Sequence, residues 1–146
     1  MAHTVAASAE RTIDAPADEV YRDLTDMHLH AKFLPTPFYD CEVVEDGTLR
    51  IKIDFAGGVK EIRMQATEPE PGRTVVLTDT NGSGLVTTYI VTPQGTQALV
   101  SVTATFDGES GVAGFVERIV APRRLHGIYT KQLGAFEAHA REQRIG

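Results

Sequence analysis

Residues 110–144 read SGVAGFVERIVAPRRLHGIYTKQLGAFEAHAREQR, the only stretch of the chain long enough for a major helix. Phe115, Ile119, Pro122, His126, Tyr129, Leu133, Phe136 and Ala140 recur at alternating steps of four and three. That spacing places them on one side of a helix, with Arg124, Lys131 and Glu117 largely opposite. A helix with one apolar stripe has to bury it, and what precedes this segment reads as strands. The expected architecture is therefore α+β, a curved sheet wrapped around the last helix. Pro122 lacks an N–H and its ring clashes with the preceding turn, so a kink there, or a fresh start near Ala121, is expected. His126 is the one ionisable residue in the expected buried row. A hydrogen-bonded histidine of the core or pocket edge is the plainer reading, and contact with a ligand the sharper one.

Upstream, Leu49, Ile51, Ile53 and Phe55 alternate with Arg50, Lys52 and Asp54. A two-residue turn at Gly57-Gly58 predicts a register with Ile53 opposite Ile62, Ile51 opposite Met64, Lys52 opposite Arg63 and Asp54 opposite Glu61. Like charges then face each other, and the diagonals Lys52–Glu61 and Asp54–Arg63 compensate on a wet outer face. Turns at Asp46-Gly47, Pro71-Gly72, Asn81–Gly84 and Pro93–Gly95 separate Tyr39–Glu45, Thr74–Thr78, Leu85–Thr92 and Gln97–Phe106, an antiparallel meander. At the start, His3–Ile13 alternates weakly, with Val5, Ala7, Ala9 and Ile13 on one face. Asp14 is the expected N-cap of a short helix packed through Val20, Tyr21 and Leu24. A second short helix is expected to start at Asp26 and to end at Pro35 and Pro37.

At 146 residues the chain is read as one domain, 1–146, large enough for a core with a hollow in it. A formal net charge of −6 argues against a nucleic-acid partner, which needs a basic surface. With Cys41 as the single cysteine no internal disulfide can form, and a small buried thiol is expected there. The opening MAHTVAASAERTID has no apolar core, so no signal peptide is expected. Thr80–Phe106 carries no charge, but its period of two and its Thr, Pro and Gly content exclude a membrane-spanning helix. A cytoplasmic location is the expectation.

No catalytic constellation has a specific spacing. His28 and His30 are two apart and point to different sides of a helix, and no cysteine or carboxylate completes a site, so no metal is expected. Nucleophile-elbow, P-loop and dinucleotide fingerprints are missing from the sequence. The register sends Asp54, Glu61 and Arg63 outward. Arg11 shares the phase of Val5 and Ile13; it either enters the interior to meet a carboxylate or enolate, or is paired at the sheet end, and the second reading is preferred. Tyr89 and Tyr129 carry hydroxyls to the inner side, though packed tyrosines need no function.

The order strand, two short helices, six strands, long helix resembles the helix-grip fold. The segments E-R-T-I-D-A-P (Glu10–Pro16), Glu19-Val20-Tyr21, Leu24-Thr25-Asp26 and Ala121–Leu125 are similar to the START-like superfamily known as SRPBCC, most closely to its polyketide cyclase/dehydrase and lipid-transport branch. The resemblance covers nearly the whole chain, and its motifs are caps and packing positions that specify fold rather than chemistry. That family commonly has a tryptophan after the second short helix. Here Phe33 precedes Leu34-Pro35, in a chain without tryptophan. The resemblance implies a curved seven-stranded antiparallel sheet around a long C-terminal helix, with an apolar cavity between them. Small residues Gly111, Ala113 and Gly114 add room, since one helix does not fill a strongly curved sheet. The expected lining is Phe33, Ile51, Ile53, Met64, Tyr89, Phe115, Ile119, His126, Tyr129 and Leu133. Three functions follow in order: binding of a hydrophobic small molecule such as a lipid, quinone or polyketide, without cofactor; a cyclase or dehydratase acting on such a molecule through His126, Tyr129 or Tyr89; or a protein-interaction module using the outer sheet face.

Overall fold

The structure, a computed structural model, describes residues 3–55, 58–82, 84–107 and 122–145. Its elements in chain order are β1 (His3–Ile13), α1 (Ala17–Leu24), α2 (Met27–Phe33), β2 (Tyr39–Val43), β3 (Leu49–Phe55), β4 (Gly58–Glu70), β5 (Thr74–Asp79), β6 (Leu85–Gln94), β7 (Gln97–Asp107) and α3 (Pro122–Ile145). The strands form one seven-stranded sheet in the order β1-β7-β6-β5-β4-β3-β2, every neighbouring pair antiparallel. β2 to β7 are thus a meander, as the turn signals predict, and β1 closes beside β7. Consecutive strands β1 and β2 therefore lie at opposite edges, and α1 and α2 have to carry the chain from one edge to the other. This is the helix-grip arrangement.

The short helices follow local chemistry. Asp26 caps α2 through its carboxylate, which accepts the His28 backbone N–H at 2.9 Å. Asp14 does not cap α1: the N-cap is Pro16, extended and without a side-chain bond, and the helix begins at Ala17. Proline already lacks the N–H that a helix start leaves orphaned, so its fixed φ suits that place.

The β3–β4 register differs from the expected one by two residues. Ile51 pairs with Ile62, Lys52 with Glu61, and Phe55 with Gly58. A shift of two keeps every side chain on its face, and Ile51, Ile53, Ile62 and Met64 are all buried. It also sets Lys52 directly opposite Glu61 instead of opposite Arg63. Arg50 now faces Arg63, and Glu61 answers both, accepting from Arg63 Nε at 2.6 Å and lying 3.9 Å from Arg50 Nε. Glu42 on the edge strand also pairs with Arg50.

The sheet's inner face is apolar, and α3 packs most extensively against β1, where Ala7 and Ala9 let the helix approach. The buried face of α3 is Leu125, Ile128, Tyr129, Gln132, Leu133, Phe136 and Ala140. It departs from the predicted stripe at one position of consequence: Leu125 is buried and His126 is exposed. Phe115 and Ile119 of the predicted stripe, the small residues Gly111, Ala113 and Gly114, and the chain on the near side of the expected kink at Pro122 lie outside the described residues. Arg11 is paired, as preferred, its Nε donating to Glu137 at 2.8 Å. Leu133 is fully buried, which for a leucine contributes about 1.5–3 kcal/mol of transfer free energy. Leu133→Ala is expected to lower stability in urea denaturation by about 2–5 kcal/mol, cavity cost included.

Candidate ligand cavity

Between sheet and α3 lies a cavity of about 20 Å³, room for about one water. The sheet contributes Leu49 and Ile51 from β3, Ile62 and Met64 from β4, Leu77 from β5, and Leu85, Thr87 and Tyr89 from β6. The helices cover it with Tyr129 and Gln132 of α3 and His30 of α2, and Leu34 and Phe38 follow α2. Alternation along each strand aims these side chains to one side. Of the lining residues Leu34 is the one only partly buried, so the lining reaches solvent there.

Ile51, Met64, Tyr89 and Tyr129 thus stand where the sequence reading puts them. Ile53 and Leu133 are buried but do not touch the cavity. Phe33 packs instead against Phe136, ring centroids 5.1 Å apart and nearly perpendicular. His126 is exposed, its Nδ1 2.6 Å from the backbone carbonyl oxygen of Ser8. It ties α3 to β1 and does not enter the interior.

The polar groups the sequence reading missed are His30, Thr87 and Gln132; Thr87 shares the inward phase of Leu85 and Tyr89 on β6, and the other two are less visible. Met27, His30 and Leu34 fall at helical spacing, so His30 belongs to the buried face of α2; Gln132 precedes Leu133 on the buried face of α3. Neither shows in an apolar pattern because neither is apolar. They form a directed chain. Tyr89 donates to Gln132 Oε1 at 2.5 Å, Gln132 Nε2 donates to His30 Nδ1 at 3.3 Å, and His30 Nε2 donates to the Leu24 carbonyl at 2.7 Å. A carbonyl can only accept, so the proton of a neutral His30 ring sits on Nε2 and its lone pair on Nδ1 is taken by Gln132. The rings of Tyr89 and Phe136 meet His30 edge-on at 5.2 and 5.1 Å. Beside this chain, the Thr87 and Tyr129 hydroxyls are 2.9 Å apart.

Burial decides the protonation of all three ring groups. It pushes His30 down to about 4, against the hydrogen bond to Leu24. It pushes Tyr129 up to about 12 and Tyr89 well above the ordinary phenol value. At neutral pH the cavity wall therefore holds no charge among the described residues. Nor do these residues offer a metal site or a helix long and apolar enough to cross a membrane. Cys41 is a partly buried free thiol pushed up to about 11 by burial, which keeps it protonated and unreactive.

His30 sets a pH dependence. Its folded-state pKa lies below the ordinary 6.5, so as pH falls the unfolded chain takes up a proton that the folded one refuses. Stability drops through that window and levels off below about 4. Between pH 8 and 5 the loss from this residue is about 2 kcal/mol. Chemical denaturation at both pH values is expected to show that loss in the wild type and its absence in His30→Gln.

The profile of the polyketide cyclase/dehydrase and lipid transport family matches residues 4–141. No curated protein matches significantly. Among solved structures, the KanY protein superposes with a TM-score of 0.77 at 24% identity, covering 97% of this chain and 99% of its own. The Zhui aromatase/cyclase from a Streptomyces species gives 0.67 at 20% identity, over 99% and 96% of the two chains. A START superfamily protein from Mycobacterium smegmatis gives 0.65 at 15%, over 97% and 99%. These likenesses establish a shared fold, and the profile match spans nearly the whole sequence. The chain belongs to the polyketide cyclase/dehydrase and lipid transport family.

Proposed function

We propose that this protein, a single domain acting in the cytoplasm, binds a hydrophobic small molecule of lipid, quinone or polyketide type between sheet and α3. The observation that carries this reading is the make-up of the lined space, smaller as it stands than the cavity expected from the resemblance: eight of its thirteen lining residues are aliphatic, methionine or phenylalanine, and the five polar ones are uncharged. Apolar walls with a few fixed polar groups are what a ligand of this class requires. The present volume is water-sized, so the ligand enters by displacing the cover beside Leu34.

Turnover is the weaker reading. A cyclase or dehydratase needs a group poised to move a proton near the working pH. His30 is a weak base whose lone pair is occupied by Gln132, and both tyrosines hold their protons firmly. His126, the candidate from sequence, is bonded to Ser8 on the outside. A role for the outer sheet face in protein docking is opposed by its charge, carried by Arg50, Lys52, Glu61 and Arg63.

Titration of the purified protein with Nile red is expected to show saturable, one-to-one binding, and native mass spectrometry to show a co-purifying apolar molecule. Leu77→Phe adds bulk to the lined space. It is expected to weaken probe binding while lowering stability by no more than about 1–3 kcal/mol. Absence of saturable binding by the wild type sinks the reading. His126→Leu serves as the outside control: probe binding unchanged, stability within about 1 kcal/mol of wild type.

A further inference from the structure

The polar groups of the cavity are not interchangeable, because most of their protons are already committed. Tyr89 gives its proton to Gln132, Gln132 gives one to His30, and His30 gives its own to Leu24. Thr87 and Tyr129 bring two hydroxyl protons, and the single contact between their oxygens uses one. Whichever donates, the other hydroxyl is left with a proton and no place for it within the pair. The second amide proton of Gln132, whose side chain lies on the same wall, is likewise left over. Among the described residues the wall thus has spare donors beside a space the size of one oxygen atom. Among the described residues it includes no Lys or Arg to balance an anion.

We infer that the cavity selects ligands carrying a neutral hydrogen-bond acceptor, a ketone or quinone carbonyl, over carboxylates of the same size, with the Thr87–Tyr129 pair as the donor. This rests on the binding reading above and narrows it to one head-group class. A carbonyl oxygen in the water-sized space takes the spare hydroxyl proton and satisfies a buried donor at no cost in charge. A carboxylate there is desolvated with no counter-ion, and an unpaired buried anion is far costlier than a neutral acceptor. An alkane leaves the spare donor unpaired.

The test uses three probes of equal carbon number, undecyl methyl ketone, tridecanoate and tridecane, each displacing Nile red at about pH 8, where the carboxylate is ionised. For the wild type, the ketone is expected to bind at least about tenfold more tightly than tridecanoate. The double variant Thr87→Val/Tyr129→Phe removes both hydroxyls with little change of shape, a replacement that is often close to neutral for folding. It is expected to lower ketone affinity about five- to tenfold and, since no donor is then left unpaired by an alkane, to bind tridecane more tightly than the wild type does. Each single variant keeps one hydroxyl proton and is expected to retain most of the ketone affinity, which a merely structural hydroxyl pair would not require. Equal or tighter binding of tridecanoate by the wild type overturns the proposal without any variant. So does an equal loss for ketone and alkane in the double variant. If Nile red binds but the ketone holds no advantage, only this inference fails; if the wild type binds neither Nile red nor any of the three, the binding reading fails with it.

Discussion

Gln132 sits at the centre of the buried face of α3, and a buried amide must find partners at both ends or cost the fold about 1–3 kcal/mol for each group left unmatched. Its two ends reach different elements: the oxygen takes the Tyr89 proton from β6, and the nitrogen reaches His30 on α2. His30 in turn holds the Leu24 carbonyl at the end of α1. One side chain therefore fixes sheet, long helix and both short helices relative to one another. The same arrangement holds the histidine in a single tautomer, while burial keeps it neutral. Neutral, mutually satisfied polar groups in an apolar wall are what a binding cavity needs; a proton-transfer site needs at least one that is free to change state.

The outside of the molecule solves a different problem. On β3 and β4 the charges stand in water, where a single ion pair is worth little. Their arrangement serves register: with Lys52 across from Glu61, and Glu61 reaching Arg50 and Arg63, a slip by two residues would set Lys52 against Arg63. The isoleucines specify the face, and the charges around Glu61 agree with the observed register.

Most of the architecture was legible because alternation and turn residues report directly on backbone geometry. Asp26 as cap and the six strands β2–β7 in meander order follow from that. Two signals misled. On the last helix Tyr129, Leu133, Phe136 and Ala140 keep the predicted phase, and the difference lies at the edge of the stripe, where Leu125 rather than His126 takes the buried place. The hairpin register was read from a glycine pair, while opposite charge across the strands favoured the alternative two residues away. In the cavity, Ile51, Met64, Tyr89 and Tyr129 followed from pattern. His30 and Gln132 did not, since their burial is possible only because each completes the other, and no local pattern encodes a partner 102 residues away.

Beside Leu34 the cavity is covered by α2, a helix of seven residues that follows the eight-residue α1, both below the length at which a helix persists in water by itself. Such segments form the low-stability end of a fold and open as a unit while the sheet stays intact. Any molecule that enters past Leu34 must wait for that opening, and its apparent dissociation constant is the intrinsic one divided by the open fraction. Exchange rates and residence time are then properties of α1 and α2 rather than of the cavity wall. Two family members with identical linings but differently anchored covers would hold the same molecule for very different times.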